Sequence, residues 1–239
     1  SRSTFEVLSM NYGDPQHRIR SVSWTEPAEL TEQLGRPEAP KPTLQDLPIL
    51  RTLLLTPEER PEELWLEGED TLYQPTPHTM VTEQGPPRVG FIHISGACFP
   101  VWSIESVAWT IRASGEAPKH SGGAIYRDHR ADKCFILSAE ECWKIQGLTQ
   151  DTLDTLKEKL SEETFEVKDT VIRRLAGNAI STGVAKALAQ MAKERIEKFD
   201  ALFRRDGSDP TPAPSPHPQY SALQHPEESI NKFIIVQLT

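Results

Sequence analysis

The stretch Leu137-Ser-Ala-Glu-Glu-Cys-Trp-Lys-Ile-Gln-Gly147 decides how the chain is organised. Ser138, followed three residues later by Glu141, is a capping box, which predicts a helix that begins at Ala139. The apolar residues that follow at helical spacing are predicted to face inward. Gly147 is placed to end the helix in the left-handed conformation that glycine adopts without strain.

A second stretch follows further along the chain, Arg173-Arg-Leu-Ala-Gly-Asn-Ala-Ile-Ser-Thr-Gly-Val-Ala-Lys-Ala-Leu188. Gly177-Asn178 is predicted to form a tight backbone turn that opens a long helix, with Ser181 or Thr182 as the cap. A glycine turn at a helix N-terminus lets a ligand approach the backbone, although most such turns are structural. The helix itself is predicted from an apolar stripe of helical period: Ala185, Leu188, Ala192, Ile196, Phe199 and Phe203.

These two stretches resemble conserved motifs of the C5-cytosine DNA methyltransferases. The first is similar to the family's ninth motif, L-T-P-R-E-C-x-R-L-Q-G-F, and the second to its tenth, I-G-N-A-V-P-P-x-L-A-x-A-I. Asn11-Tyr-Gly-Asp-Pro-Gln-His-Arg-Ile-Arg20 is similar to the eighth, Y-G-V-P-Q-x-R-x-R. The three matches stand in the family's order, and the resemblance extends from about Phe5 to Gln190.

Other motifs of the family do not occur in this sequence. It contains no F-x-G-x-G cofactor loop, no Pro-Cys nucleophile and no E-N-V motif; the three cysteines follow Ala97, Lys133 and Glu141. Because those motifs come earlier in the family's chain, the resemblance implies the C-terminal part of such an enzyme, inactive alone. The family's Pro-Arg-Glu in the ninth motif reads Ala139-Glu140-Glu141, which reverses the charge of the arginine.

The fold class implied by the resemblance is α/β: a partial Rossmann-like S-adenosylmethionine-dependent methyltransferase fold with an inserted mixed α+β target-recognition region. Four segments are expected. Residues 1–25 hold catalytic-sheet strands with the eighth motif, and residues 26–133 hold an acidic, proline-rich insert and the target-recognition region. Residues 134–205 return to the catalytic domain with the ninth and tenth motifs, and residues 206–239 are a proline-rich linker and a strand-like tail.

Alternation and turn residues predict several elements directly. Strands are predicted in Phe5–Met10, Ile19–Trp24, Val89–Ile94 and Val107–Ala113, and a strand-like run in Phe233–Leu238. Thr149–Leu160 is predicted to be a charged amphipathic helix, and Thr56-Pro-Glu-Glu is typical of a helix N-terminus.

The activity implied for the parent enzyme is transfer of a methyl group from S-adenosyl-L-methionine to carbon 5 of cytosine in DNA. The resemblance implies that Arg20 reaches the flipped-out cytosine and that Arg18 helps to shape that pocket, and both are the catalytic candidates. An arginine fork can donate to a base carbonyl and to a phosphate, and an extruded base needs such edge contacts. Two surface arginines on a strand remain the alternative.

The resemblance also supplies cofactor and DNA candidates. The turn that closes the family's cofactor pocket corresponds to three residues: Gly177, Asn178 and Ser181. Loops of the recognition region enter the major groove in the family, and donors there contact phosphates and base edges. The candidates for DNA contact are Arg112, Lys119, His120 and Arg127, each with a solvated surface residue as the alternative. No histidine or cysteine spacing matches a zinc site, so no metal is expected.

The net charge of −9 is unfavourable for a DNA-binding protein, but the acidity is local. Residues 26–70 carry 12 acids and 4 bases, a net of −8, while the stretches that match DNA-facing parts of the family are near neutral. No apolar run is long enough to span a bilayer, and three cysteines fit no disulfide framework. An intracellular location, nuclear in a eukaryote, is therefore expected.

DNA is the expected partner, together with the N-terminal catalytic half, on the same parent chain or on a partner subunit. A second hypothesis is a catalytically inactive methyltransferase-like scaffold or regulatory subunit that binds DNA or a catalytic partner. Glu140 and the acidic insert favour this second hypothesis. An unrelated helical adaptor whose motif matches arise by chance is a third.

Overall fold

The structure, a computed structural model, describes residues 1–43, 49–68, 71–80, 86–112, 124–205 and 235–238. The strands in chain order are β1 (Arg2–Leu8), β2 (Gln16–His17), β3 (Ile19–Thr25), β4 (Thr71–Met80), β5 (Arg88–Ile94), β6 (Ala97–Ser103), β7 (Ala108–Trp109), β8 (Ile125–Asp128), β9 (Lys133–Ile136) and β10 (Ile235–Leu238). The helices are α1 (Ala28–Leu34), α2 (Ala139–Ile145), α3 (Gln150–Lys159), α4 (Phe165–Asn178) and α5 (Thr182–Arg205). This mixture confirms the predicted α/β class.

The chain forms two compact units. The first unit comprises Ser1–Val7, Ile19–Pro42 and Ala185–Thr239, and the second unit comprises Leu8–Arg18 and Thr43–Val184. The predicted four-segment organisation is a different kind of division, by motif rather than by compactness, and it stays a prediction.

The first unit is built on a three-stranded sheet in the order β1-β3-β10. The last strand runs antiparallel to β3, with Ile235 opposite Thr25 and Leu238 opposite Val22. The strand-like tail predicted from the sequence therefore pairs with another strand.

A buried glutamate holds several parts of the first unit together. Trp24 donates its indole N–H to the Glu26 carboxylate at 2.8 Å, and Arg195 of α5 donates to the same carboxylate. The Ser1 amino group donates to the Glu26 carbonyl at 2.7 Å. Burial would raise the pKa of Glu26, but hydrogen bonds from Arg195, Trp24 and Thr31 bring that pKa below its ordinary value.

The second unit contains a five-stranded sheet in the order β4-β5-β6-β8-β9, antiparallel except for the β6–β8 pair. Strands β5 and β6 form a hairpin whose turn residues Ser95 and Gly96 have φ of 48° and 81°. Two positive φ values are typical of the type I′ turn, whose twist matches that of a hairpin. The predicted strand at Val89–Ile94 is confirmed.

The two faces of this sheet bury different side chains because successive residues alternate between them. Trp102, Tyr126 and Phe135 are in register on one face and belong to a hydrophobic cluster with α2 and α4. Val101, Ile125 and Ile136 lie on the other face, in a smaller cluster with Leu64 and Leu66. The sheet is thus packed on both sides.

Helix α2 forms as its sequence predicts. Ser138 accepts a hydrogen bond from the backbone N–H of Glu141 at 3.0 Å, and the Glu141 side chain accepts one from the N–H of Ser138 at 2.7 Å. Gly147 has φ of 72°, which confirms the left-handed cap. Thr149 caps α3, so the predicted helix at Thr149–Leu160 is also confirmed.

Three predicted elements differ from the structure. The predicted strand at Phe5–Met10 ends at Leu8, where the 3-10 turn Ser9–Tyr12 follows. Within the predicted strand at Val107–Ala113, only Ala108–Trp109 of the described residues form a strand, which pairs with β2, and Ala113 lies outside the described residues. The helix expected after Thr56 is a single turn closed by N–H donation from Arg60 to the Thr56 carbonyl at 3.1 Å. Pro61 then lacks the N–H that a further turn needs and restricts Arg60 to a non-helical backbone.

The predicted long helix is present as α5, but its apolar stripe is only partly covered. Leu188 is buried, whereas Ile196 is 47% exposed. No helix in the described part of the chain is long and apolar enough to cross a membrane.

Candidate functional site

The three family-like motifs meet in the second unit, although they lie far apart in the sequence. The eighth-motif segment begins with a 3-10 turn at Ser9–Tyr12, which Gly13 ends with φ of 85°. The polar residues that follow are buried instead of facing solvent: Asp14, Gln16 and Arg18 are at most 3% exposed. Buried polar groups are normally hydrogen-bonded, and their partners here belong to the other two motifs.

Gln146, at the C-terminal end of α2, joins the ninth motif to both of the others. Its side-chain oxygen accepts a hydrogen bond from the Gln16 amide at 2.8 Å, and its backbone carbonyl accepts one from the N–H of Thr182 at 3.1 Å. Both glutamine side chains are fully buried. Gln146 therefore fixes the eighth-motif segment and the start of α5 relative to α2.

The structure contradicts the predicted turn at Gly177-Asn178. These two residues form the last turn of α4, and the chain leaves the helix at Ala179. Ile172 and Ala176 are buried one turn apart on the core face, so the helical pattern continues through the glycine. Neither Gly177 nor Asn178 has a positive φ.

Arg18 binds the C-terminal end of α4. One of its terminal nitrogens donates to the Gly177 carbonyl at 2.6 Å and the other to the Ile111 carbonyl at 3.2 Å. The last carbonyls of a helix lack intrahelical partners and carry partial negative charge, which a guanidinium satisfies. Arg18 thus holds the tenth motif and the backbone at Ile111 in place, and its terminal nitrogens face carbonyls rather than an open surface.

The N-terminus of α5 is satisfied from within the protein. The N–H of Gly183 donates to the Asp14 carboxylate at 3.0 Å, and the hydroxyl of Ser181 donates to that of Ser9 at 3.2 Å. A Cβ at position 183 would collide with the Tyr12 carbonyl and lie 2.7 Å from the Asp14 carboxylate. The free N–H groups predicted to attract a ligand are therefore partly occupied by the protein's own acceptors.

Three buried polar atoms of this junction have no hydrogen-bond partner among the described residues. They are Gln16 Oε1, Gln146 Nε2 and Arg18 Nε. An unsatisfied buried polar atom costs free energy, so an arrangement that keeps three of them is not optimised for stability alone. Such departures from local rules are expected at functional sites.

Arg20, the predicted cytosine contact, lies on β3 in the first unit. Its side chain is partly buried, and burial lowers the pKa of Arg20 from its usual value. No hydrogen bond or ion pair to its guanidinium is present within the described residues. A partly desolvated arginine that lacks a counter-ion has donors to offer to a base or a phosphate.

The four DNA candidates fall in different settings. Arg112 is exposed, whereas Lys119 and His120 lie outside the described residues. Arg127 is on strand β8, where its guanidinium lies 3.9 Å from the Tyr73 ring centroid and pairs with Asp132. Arg127 also borders an open groove of about 660 Å³ lined by Tyr73, Pro75, Pro87, Val89, Ser103, Glu105, Arg127 and His129.

A buried ion pair in the second unit was not predicted from the sequence. Arg60 and Glu141 form two hydrogen bonds, at 2.7 and 3.0 Å, and both side chains are 0% exposed. The Arg60 guanidinium also lies 3.8 Å from the Phe135 ring centroid. The available signal was slight: a single arginine within the most acidic part of the insert.

The two buried cysteines, Cys134 and Cys142, are not activated nucleophiles. Burial raises the pKa of Cys142 to about 12 and also raises the pKa of Cys134. A thiol must ionise to attack, so both are inert at neutral pH. Within the described ranges, no group of three or more His, Cys, Asp or Glu side chains is arranged to hold a metal ion.

Comparison with known proteins gives structural similarity without sequence similarity. No family model matches the chain, and no curated protein matches it. Among solved structures, the chain is similar to the methyltransferase EhMeth of Entamoeba histolytica, with 11% identity and a TM-score of 0.49 over 80% of this chain and 52% of that one.

It is also similar to the Dnmt2 methyltransferase of S. pombe, with 13% identity and a TM-score of 0.44 over 82% of this chain and 57% of that one. The chain thus spans just over half the length of each of these methyltransferases.

Proposed function

We propose that this chain is the C-terminal part of a DNA (cytosine-5)-methyltransferase, which acts together with an N-terminal catalytic half. The observation that carries the proposal is the junction of the three family-like motifs. Hydrogen bonds join Gln16 to Gln146, Arg18 to Gly177 and Gly183 to Asp14, each across more than a hundred residues of sequence. Chance matches to three motifs would have no physical reason to meet in one buried network.

In this proposal the two arginines of the eighth motif have different roles. Arg18 is a positioning residue, because its terminal nitrogens are engaged by the Gly177 and Ile111 carbonyls. Arg20 is the catalytic residue, which donates to the extruded cytosine, because no described side chain neutralises it. A base taken out of the duplex is held by hydrogen bonds to its edge, which a guanidinium fork can supply.

The cofactor of the proposed reaction, S-adenosylmethionine, would supply the methyl group. The three predicted cofactor-binding residues do not form a site for it by themselves. Gly177 contributes a carbonyl already bound by Arg18, and the Ser181 hydroxyl is bound to Ser9. Of the three residues, Asn178 is the exposed one, and no described residue forms a hydrogen bond with its side-chain amide. The proposal therefore assigns cofactor binding chiefly to the N-terminal half.

The test is reconstitution with an N-terminal half that carries the F-x-G-x-G and Pro-Cys motifs, such as one encoded upstream in the same gene. The chain alone should incorporate no label from S-adenosylmethionine into cytosine-containing DNA, and the mixture should. Arg20→Ala should then reduce turnover by about tenfold or more, since a charge-assisted contact contributes about 1.5–3 kcal/mol. The melting temperature should stay nearly unchanged.

The matched control for Arg20 is Arg174→Ala, which removes an exposed arginine outside the junction. Turnover of that variant should equal that of the unmodified complex. Methylation by the chain alone, or equal turnover of the Arg20 and Arg174 variants, would contradict the proposal.

The inactive scaffold remains a second candidate because of two observations. The first N–H groups of α5 are bound by Asp14 and Gln146, and Glu140 forms an ion pair with Lys157. A scaffold keeps the fold without the ligand contacts. In calorimetry of the reconstituted complex, Asn178→Ala should weaken S-adenosylmethionine binding if the complex is an enzyme. Unchanged affinity together with absent methylation would favour the scaffold.

A further inference from the structure

Three aromatic rings form a continuous stack in the second unit. Trp102 and Trp109 lie parallel, with ring centroids 4.8 Å apart and an interplanar angle of 5°. The His17 ring stacks on the Trp109 ring, with ring centroids 5.7 Å apart and an interplanar angle of 13°. Nearly parallel rings at these centroid separations are offset stacks, an arrangement that aromatic pairs prefer over a face-to-face sandwich, so three parallel rings in a row are an ordered feature of the fold.

The backbone holds this stack rigidly in place. Strands β2 and β7 pair His17 with Trp109 in register, and the Thr110 hydroxyl donates to the His17 carbonyl at 2.6 Å. The backbone N–H of Trp109 donates to the hydroxyl of the buried Tyr126 at 2.9 Å. The rings are therefore preorganised, which reduces the entropic cost of binding a further ring.

The stack ends at Trp102 on one side and at His17 on the other, and all three rings are partly buried. Trp102 packs against the larger hydrophobic cluster, Trp109 lies in the middle, and His17 is the terminal ring at the other end. Burial lowers the pKa of His17 below its usual value of 6.5, so its ring is uncharged at neutral pH. His17 thus presents a flat, neutral heteroaromatic ring at the end of the stack.

We propose that the outer face of His17 binds an unpaired nucleobase of DNA by stacking, as the fourth ring of the series. Every base has a π-face that stacks on aromatic side chains, and a neighbouring cation binds the phosphate. Arg112 is exposed three residues after Trp109 and can provide this cation. The identity of the partner as DNA rests on the proposed function, but the stacking site is separate from the arginine assigned to the target cytosine.

Binding of the complete chain to two oligonucleotides tests the proposal. One is a short fluorescent single-stranded oligothymidylate, and the other has the same length and phosphates but abasic sugars. The oligothymidylate should bind about tenfold more tightly, since base–aromatic stacking contributes this much or more per base. Phosphate contacts alone would bind both equally.

Variants of the terminal ring locate the site. His17→Val covers the Trp109 ring with a branched side chain that offers no flat surface, and should bring the affinity ratio of the two oligonucleotides close to one. His17→Phe restores a flat ring and should keep the ratio. Arg112→Ala should weaken binding of both oligonucleotides alike and leave the ratio unchanged. Thermal melts verify that each variant is folded.

A ratio near one in the unmodified chain, or no binding of either oligonucleotide, would overturn the stacking site. A ratio that His17→Val leaves intact would place the base elsewhere and overturn it as well. These measurements need no methyl transfer. An inactive reconstituted complex would therefore refute the proposed enzyme without changing the affinity ratio of the two oligonucleotides. An affinity ratio near one would refute the stacking site without changing the result of the methylation assay.

Discussion

Replacing Arg60 by methionine tests how the acidic insert is attached to α2. The substitution keeps an apolar stem of similar length against Phe135 but removes the charge that faces Glu141. The Glu141 carboxylate would keep the hydrogen bonds that it accepts from the backbone N–H of Leu55 at 2.8 Å and from the backbone N–H of Ser138 at 2.7 Å. It would lose both hydrogen bonds from the guanidinium, at 2.7 and 3.0 Å, in a place with no exposed side-chain surface.

The expected loss is large because a charge is left buried and unpaired. Breaking a buried pair by removing one partner costs about 3–5 kcal/mol. With a urea m-value of about 2 kcal/mol per M, the midpoint of unfolding should fall by roughly 2 M. Adding Glu141→Gln to Arg60→Met removes the charge, so the double variant should lose less stability than the sum of the two single variants.

Urea unfolding followed by tryptophan fluorescence and circular dichroism measures these changes. Arg51 offers a matched control, because its ion pair with Glu105 is 48% and 43% exposed. Exposed pairs contribute about 0–1 kcal/mol, so Arg51→Met should barely shift the midpoint. If Arg60→Met costs no more than Arg51→Met, or if the double variant loses the full sum, the reasoning about the buried charge is refuted.

Three further predictions concern other parts of the chain. Gly183→Ala should destabilise the protein by about 1–3 kcal/mol although alanine favours helices, because its Cβ collides with the Tyr12 carbonyl; a stabilised variant in the same urea assay would disprove the contact. The pKa of Glu26 is lowered in the folded state, so its contribution to stability is present at neutral pH and lost as pH falls below about 4. The melting temperature of Glu26→Gln should therefore fall less between neutral pH and about pH 3 than that of the unmodified chain. The same pH dependence in both proteins would contradict the role of Glu26. Cys142, buried with a pKa of about 12, should resist iodoacetamide in the native chain while the exposed Cys98 reacts, as mass spectrometry of the alkylated protein would show.

Features set by a few neighbouring residues were predictable from the sequence. The capping box of Ser138 and Glu141 and the left-handed Gly147 depend on local backbone geometry, and the structure has both. The prediction of a turn at Gly177-Asn178 was wrong. Ile172 and Ala176 are buried in the cluster that includes α2, and this packing extends α4 through the glycine. Packing between distant segments decided that boundary, and it is invisible in a local pattern.

The contacts of the candidate site were likewise not predictable from local sequence patterns. The three motifs could be identified one at a time, but their hydrogen bonds join residues more than a hundred positions apart. Arg18 looks like Arg20 in sequence, yet Arg18 is the one of the two that donates to the helix-end carbonyl of Gly177. The partner of Arg60, Glu141, lies 81 residues further along, so nothing near Arg60 indicates a buried ion pair.

The one parallel pair in the five-stranded sheet has an evolutionary consequence. After β6 the chain leaves the sheet, pairs through Trp109 with His17, and returns beside β6 at Ile125. Both ends of the stretch between Trp109 and Ile125 are therefore anchored by backbone hydrogen bonds that do not depend on what lies between them. Thr110 and Ile111 belong to the first anchor, because the Thr110 hydroxyl donates to the His17 carbonyl and the Ile111 carbonyl accepts from Arg18. Since doubling the length of a chain connection costs only about 0.6 kcal/mol, insertions after Arg112 would leave the register of the sheet unchanged. Selection can therefore lengthen the chain at that point while the scaffold on either side stays constant.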